Sequence, residues 1–500
     1  MAIQTNFNKI KSDYIAKLVS TQVVVKATLD TSSDNGVILG TSADARALAL
    51  EPMQGEVMVN GKVNFKTIFS SSENGIISLD YFADFTDTVK DELITPSSRL
   101  LLKLNVLDTD STMSGQDIIL TAVVEIVINE IRSEEYDALQ NVEESVFSKF
   151  DTITTESLKA VSEGAFELYE EIEAGADIDK VLIYDAQIAL ATAKCGVNML
   201  TITGEAYATV SFKSGADILS KSVILPFTEE LDADGATPEC MAVPDLFIKN
   251  KRIVLSGGKG DNVIRAEMVI GVKTPVFIKS DNKVVSDLYS CDTNLDVEDK
   301  LVINYDTVKD CCYKDKISAI AALDSGMKGI KSILTSCLAR NNIANLIAQD
   351  NSITAEGLMT ACVLYLDEEN NPTSVKSELP YSLKFTDEDI REGDILHGYG
   401  TVSNVAVKAV SATEIEVKAD IRVCVTVCRK KMGRVITRLI EGEKKDLKLN
   451  AISIYIAAGG EEMWDVVKSL STSPEIITEQ NPELKLPLIR GSRVRIYRTI

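Results

Sequence analysis

The sequence predicts a mainly β protein: three tandem antiparallel β-rich, sandwich-like domains followed by a small β-α-α-β unit. Three observations predict it. A set of landmarks recurs three times in step, the apolar residues between them alternate with period two, and that alternation gives way to a helical period only after about residue 445.

Each copy first shows a leucine in a short apolar run: Leu39 in GVILGTS, Leu182 in KVLIYD and Leu334 in KSILTS. A strand with a glycine near its start and an aromatic eight residues on follows, as Gly61 to Phe69, Gly204 to Phe212 and Gly357 to Tyr365. A further alternating strand opens with Ala122, Ala266 or Ala419, which lies 61, 62 or 62 residues beyond the glycine. Register kept through three copies is the mark of a duplicated unit. The alternation of Val57, Val59, Val63, Phe65 and Thr67, or of Ile415, Val417, Ala419, Ile421 and Val423, is that of half-buried antiparallel strands. Turn residues in TMSGQDII, GGKGDNVI and VSATEIEV predict that the last two strands of each copy form a hairpin. The spacing divides the chain into residues 1–148, 149–298 and 299–445, with 446–500 apart. Thr155 to Val161 has helical propensity, but its place in the repeat predicts a linker or an edge element.

In the last segment, Met463, Val466, Val467 and Leu470 form the apolar stripe of a helix. Ser473 followed by Pro474 marks the start of a second, because Ser caps the free amides and Pro has none to lose. On the closing strand Val494 and Ile496 alternate with Arg493 and Arg495, which leaves cations on one face. Trp464, the only tryptophan, reads as core.

Composition removes several function classes. Lys plus Arg number 52 against 75 Asp plus Glu, a net charge of -23, which repels polyanions and argues against a nucleic-acid partner. No apolar window is long enough for a transmembrane helix, and MAIQTNFNKIKSDYIAKLVS has no signal-peptide pattern, so a cytoplasmic location is expected. Nine scattered cysteines suggest reduced thiols. His397, the sole histidine, sits in the turn-like GDILHGYG, with neither a G-x-S-x-G elbow nor a cysteine-nucleophile signature to accompany it. Cys311 and Cys312 are adjacent, and Cys424 and Cys428 on one strand lie about 13 Å apart, so neither pair has zinc-ligand spacing. The glycine-rich run Ser256 to Asn262 lacks a phosphate-loop pattern and reads as a hairpin turn. Glu134-Glu135 and Glu368-Glu369 read as solvated surface. No catalytic residue, metal site or cofactor is expected. Residues 421–500 hold 15 Lys plus Arg against 9 Asp plus Glu, or +6, which predicts a basic C-terminal end with Arg490, Arg493, Arg495 and Arg498 as its cationic face.

The segment IAAGGEEMWDVVKSLSTSPEIITEQNPELKLPLIRGSRVRIY resembles a LysM domain, with Gly460, Trp464, Asn481, Leu488 and Gly491 at that pattern's places. The resemblance implies recognition of N-acetylglucosamine glycans, peptidoglycan or chitin-like, through two loops. These are Gly459, Gly460, Glu461, Glu462 and Met463, and then Asn481, Pro482, Leu486, Pro487, Leu488 and Ile489. The hydroxyl usual in the first loop is replaced by Glu462 beside Glu461. A carboxylate there suits sugar hydroxyls or a basic protein surface, or it simply favours the helix dipole. The three repeats resemble the SPOCS domains of spore-forming Firmicutes, and residues 286–301 resemble the linker after one copy. Together the resemblances imply a non-enzymatic scaffold of the spore coat or envelope, whose LysM unit docks to a coat morphogenetic protein in the mother-cell cytoplasm. The alternative they leave is a glycan-binding protein of spore cortex or cell wall.

Overall fold

The computed structural model describes residues 3–30, 36–71, 75–215, 217–257, 261–446 and 452–498. The first copy runs β1 (Thr5–Asp30), β2 (Val37–Met53), β3 (Glu56–Ser71), β4 (Gly75–Lys90), β5 (Arg99–Ser114) and β6 (Asp117–Val142). It makes two antiparallel three-stranded sheets, β2-β3-β4 and β1-β6-β5. The second copy repeats the connectivity in β7 (Val146–Ile178), β8 (Lys180–Cys195), β9 (Met199–Ser214), β10 (Asp217–Asp232), a short β11 (Met241–Ala242), β12 (Asp245–Leu255) and β13 (Asp261–Ser290). The third does so in β14 (Thr293–Ala322), β15 (Ile330–Gln349), β16 (Ser352–Asp367), β17 (Pro372–Thr386), β18 (Ile395–Ala409) and β19 (Glu414–Lys444). Both sheets of each copy contribute to its core, as Val59, Phe65 and Phe85 do with Leu120, Val124 and Ile126. Period-two patterning explains this arrangement: the apolar half of every strand faces the other sheet.

The glycine landmarks have a specific role on the central strands β3, β9 and β16. Gly61 stands directly opposite Phe85, Gly204 opposite Phe227 and Gly357 opposite Tyr381. A Cβ at these positions would lie 2.3, 2.5 and 2.4 Å from the facing aromatic side chain. The missing side chain therefore gives each ring a seat over the neighbouring strand. The leucine landmarks meet where the three copies join. Leu39, Leu182 and Leu334 pack together with Ile68, Ile218 and Leu364, one cluster drawn from all three copies.

The first and last strands of each copy extend as two-stranded ribbons, and these converge as well. Ile10, Tyr136, Ile153, Val284, Val302 and Val435 come from six different strands and form one cluster. Three residues beyond Ile10, Ile153 and Ile303 stands an acid in every copy: Asp13, Glu156 and Asp306. Asp13 accepts the Leu158 N–H at 2.7 Å and Glu156 the Thr307 N–H at 3.1 Å, so each carboxylate ties its copy to the next. Asp306 pairs with Lys279 and, at 2.8 Å, with Lys431. Burial pushes the Glu156 carboxyl up to about 7.

Several expectations change here. Thr155 to Val161 is not a linker but part of β7, which pairs with β13 alone and so is an edge strand, the other of the two expectations. The expected divisions at 148/149 and 298/299 fall inside β7 and β14, and the strand breaks between copies lie at 143–145 and 291–292. His397 is in strand β18 opposite Thr426, not in a turn. The glycines that suggested a turn serve close packing instead: a Cβ on Gly400 would lie 2.3 Å from the Asn341 side chain. The register of β14 on β19 sets Cys312 opposite Cys424, and the two form a disulfide, so the expectation of uniformly reduced thiols is corrected. Of the glycine-rich run, residues 258–260 lie outside the described residues, and the flanking strands pair antiparallel from Leu255↔Ile264. Among the described residues no helix is long and apolar enough to cross a membrane.

Candidate functional site

Residues 452–498 form β20 (Ile452–Ile456), α1 (Met463–Leu470), α2 (Pro474–Gln480) and β21 (Arg493–Tyr497), with β20 and β21 antiparallel to each other. The expected stripe buries Val466, Val467 and Leu470 of α1 against Ile477, Leu488, Val494 and Ile496. Glu462 is the residue before α1, and its N–H donates to the Asp465 carboxylate at 2.9 Å, half of a capping box. Ser473 caps α2 ahead of Pro474. Both helices cover the face of the β20–β21 ribbon that carries Val494 and Ile496.

Trp464 has a more specific place than general core. Its ring meets Tyr289 edge-on at 5.2 Å, and its indole N–H donates to Asp287 at 2.8 Å. Asp287 also receives Lys468 at 2.5 Å, and the Tyr289 hydroxyl donates to Thr472 O at 2.8 Å. Although partial burial opposes it, Lys468 and the indole hold the Asp287 carboxyl below the usual carboxylate range. This seam seats α1 on the end of β13.

The structure brings the two loops expected from the sequence together. Gly460 N–H donates to Leu488 O at 2.7 Å, and Leu488 N–H to Glu461 O at 2.9 Å. Their polar groups, however, turn inward. The Glu461 carboxylate accepts the N–H groups of Ala458 and Gly459 at 2.5 and 2.8 Å and the Tyr455 hydroxyl at 3.2 Å, which lowers its pKa, the Ala458 amide contributing most. Asn481 acts as a strand substitute: it accepts Arg495 N–H at 2.9 Å and donates to Arg495 O at 2.7 Å. Gln480 does the same for Tyr497, so side-chain amides close the outer edge of β21. Leu488 is buried, Met463 and Asn481 are half-buried, and the loop rim left to solvent is Gly459, Gly460, Glu462, Pro482, Leu486, Pro487 and Ile489.

The expected cationic face is smaller than the sequence suggests. Eight of the fifteen cations counted in 421–500 precede residue 446, and all but Lys445 belong to β19. Arg422, Arg429, Lys431, Arg434 and Arg438 pair there with Glu205, Asp394, Asp306, Asp299 and Glu298. Residues 446–500 hold seven Lys plus Arg and seven Asp plus Glu, a net charge of zero. Arg498 is also diverted: its guanidinium binds Leu470 O, satisfying the C-terminal end of α1. Arg490, Arg493 and Arg495 remain exposed.

One feature escaped the sequence reading. On β20 the inward residues are Ser453 and Tyr455, in step with the buried Ala457 that follows, so Ile452, Ile454 and Ile456 face out. The signal was available, because Ala457 starts the connection into the apolar cluster and period two then turns the isoleucines away from it. No family model matches the chain, and no curated protein matches it.

Proposed function

We propose that this chain is a non-enzymatic assembly scaffold of the spore coat or envelope. In this reading three SPOCS-like β domains form the body, and residues 446–500 form a LysM unit that docks to a coat morphogenetic protein in the mother-cell cytoplasm. One observation carries the preference for a protein partner over a glycan. Sugar recognition needs free donors and acceptors at the loop surface, whereas Ala458, Gly459 and Gly460 N–H, Glu461 and Asn481 are engaged within the unit. What faces outward is apolar, with Leu486 38% and Ile489 78% exposed, and exposed apolar side chains beside polar rims suit protein contacts. The alternative, a glycan-binding protein of cortex or wall, draws on the pairing of the same two loops.

Titrating the full chain with chitin oligomers and soluble peptidoglycan separates the two readings. The scaffold reading expects no saturable binding, together with loss of spore localisation of a fluorescent fusion when Ile489→Asp is introduced. Micromolar glycan binding with unchanged localisation would reject it.

A further inference from the structure

The outer face of the β20–β21 ribbon is a second, separate surface. Cross-strand pairing sets Ile452 beside Tyr497, Ile454 beside Arg495 and Ile456 beside Arg493. The isoleucines are 67%, 54% and 65% exposed and Tyr497 46%. Three β-branched side chains in a row, all largely in water, form an apolar ladder of the kind that proteins otherwise bury. Arg493 and Arg495 flank it and have no ion pair among the described residues, in contrast to five of the seven cations of β19 beyond residue 420. The unit's helix acids Asp465, Glu475 and Glu479 belong to the side where α1 and α2 pack, together with Lys468, whereas the outward strand positions carry two arginines and no acid.

We propose that this face binds an acidic amphipathic helix of a partner protein, its apolar stripe over the isoleucine row and its acidic flank against Arg493 and Arg495. Dimensions support one helix. Two strands about 4.8 Å apart, with their side chains, present a strip about 10 Å wide, the width of a single helix. Five strand residues span about 13 Å, matched by roughly nine helical residues. A second copy of the chain would set arginine against arginine. An anionic membrane would have to accept a chain of net charge -23. The surface is distinct from the loop rim, so it stands or falls independently of the docking reading above.

The test is selection of a random 16-residue peptide display library on the full chain, followed by affinity measurement with variants. Expected are enriched peptides with apolar residues at i, i+3, i+4 and i+7 flanked by Asp or Glu. Their binding weakens at least tenfold with Ile454→Glu. With Arg493→Glu and Arg495→Glu combined, the preference switches to Lys-flanked versions of the same peptides. Thermal midpoint and Trp464 emission check that each variant is folded, and Ile454→Thr replaces the glutamate if it is not. The proposal is overturned by no enrichment, by enriched peptides that are basic or lack helical spacing, or by binding that survives Ile454→Glu but is lost with Ile489→Asp. It is equally overturned if Ile454→Glu abolishes instead a concentration-dependent dimer in light scattering or co-sedimentation with phosphatidylglycerol vesicles.

Discussion

The body and the C-terminal unit treat their charged and apolar side chains in opposite ways. In the body, cations close the copies on one another. Lys251 sits between Asp185 and Asp44 of the preceding copy at 2.7 and 2.8 Å, and Arg422 of the third copy pairs with Glu205 of the second at 2.6 Å. Lys66 lies over Tyr184 at 4.2 Å and Lys103 over Tyr399 at 4.7 Å, again across copies. In residues 452–498 the polar groups close the unit's own loops and edge, while an isoleucine ladder and two arginines face out. Burial partners, not residue type, separate a structural cation from one available to a partner.

Glycine substitutions separate the two regions most strongly. Gly204→Val drives a side chain into Phe227 and into Ala189 O, 2.6 Å from the Cβ position, and is expected to cost about 3 kcal/mol or more in denaturant unfolding. Gly460→Ala meets nothing within 4 Å and only the strain of a φ of +94°, so about 1 kcal/mol is expected. A larger loss at Gly460 than at Gly204 would contradict the picture of a tightly fitted body.

Next in size is the ribbon junction. A carboxyl whose pKa is raised to about 7 by burial holds its proton in the folded state while the unfolded chain has lost it. Glu156 therefore contributes a decline in stability from about pH 4.5 to about pH 7, roughly 3 kcal/mol, that levels off above. Unfolding curves of Glu156→Gln, which keeps an acceptor for Thr307 N–H, are expected to lack this decline. An unchanged slope would remove Glu156 as its source.

The seam gives a smaller effect. Asp287→Asn removes the charge facing Lys468 and is expected to cost about 1 kcal/mol. It should also shift the emission of Trp464 to the red and raise hydrogen exchange over 463–470 without affecting the body. Because the Asp287 carboxyl is held below its usual range, the wild-type contact is expected to be present above about pH 4 and to weaken as acid protonates it. The smallest effect is that of Glu461→Gln, seen as faster exchange at Ala458 and Gly459.

The mainly β character was legible because period-two patterning is local, and the landmark spacing located equivalent strands in all three copies. Helix α1 was legible for the same reason, as Met463, Val466, Val467 and Leu470 share one face. What remained hidden was long-range. That Leu39, Leu182 and Leu334 pack together, or that Gly204 faces Phe227 and not some other ring, depends on register that periodicity leaves open. The count of cations after residue 420 misled because that window opens inside a single strand, β19, which holds seven of the fifteen and belongs to the body. Asn481 was legible as a loop residue but not as a mimic of a paired strand, since its partner Arg495 is set by the close of the fold.

The central claim, a docking unit carried by a β scaffold, is tested most directly by affinity purification of the full chain from sporulating cells beside the Ile454→Glu and Ile489→Asp variants. Expected is one dominant coat protein recovered by the wild-type chain and depleted with at least one variant, with no enrichment of muropeptides. Recovery of cell-wall glycan in place of a protein, or a protein retained equally by all three chains, would contradict it.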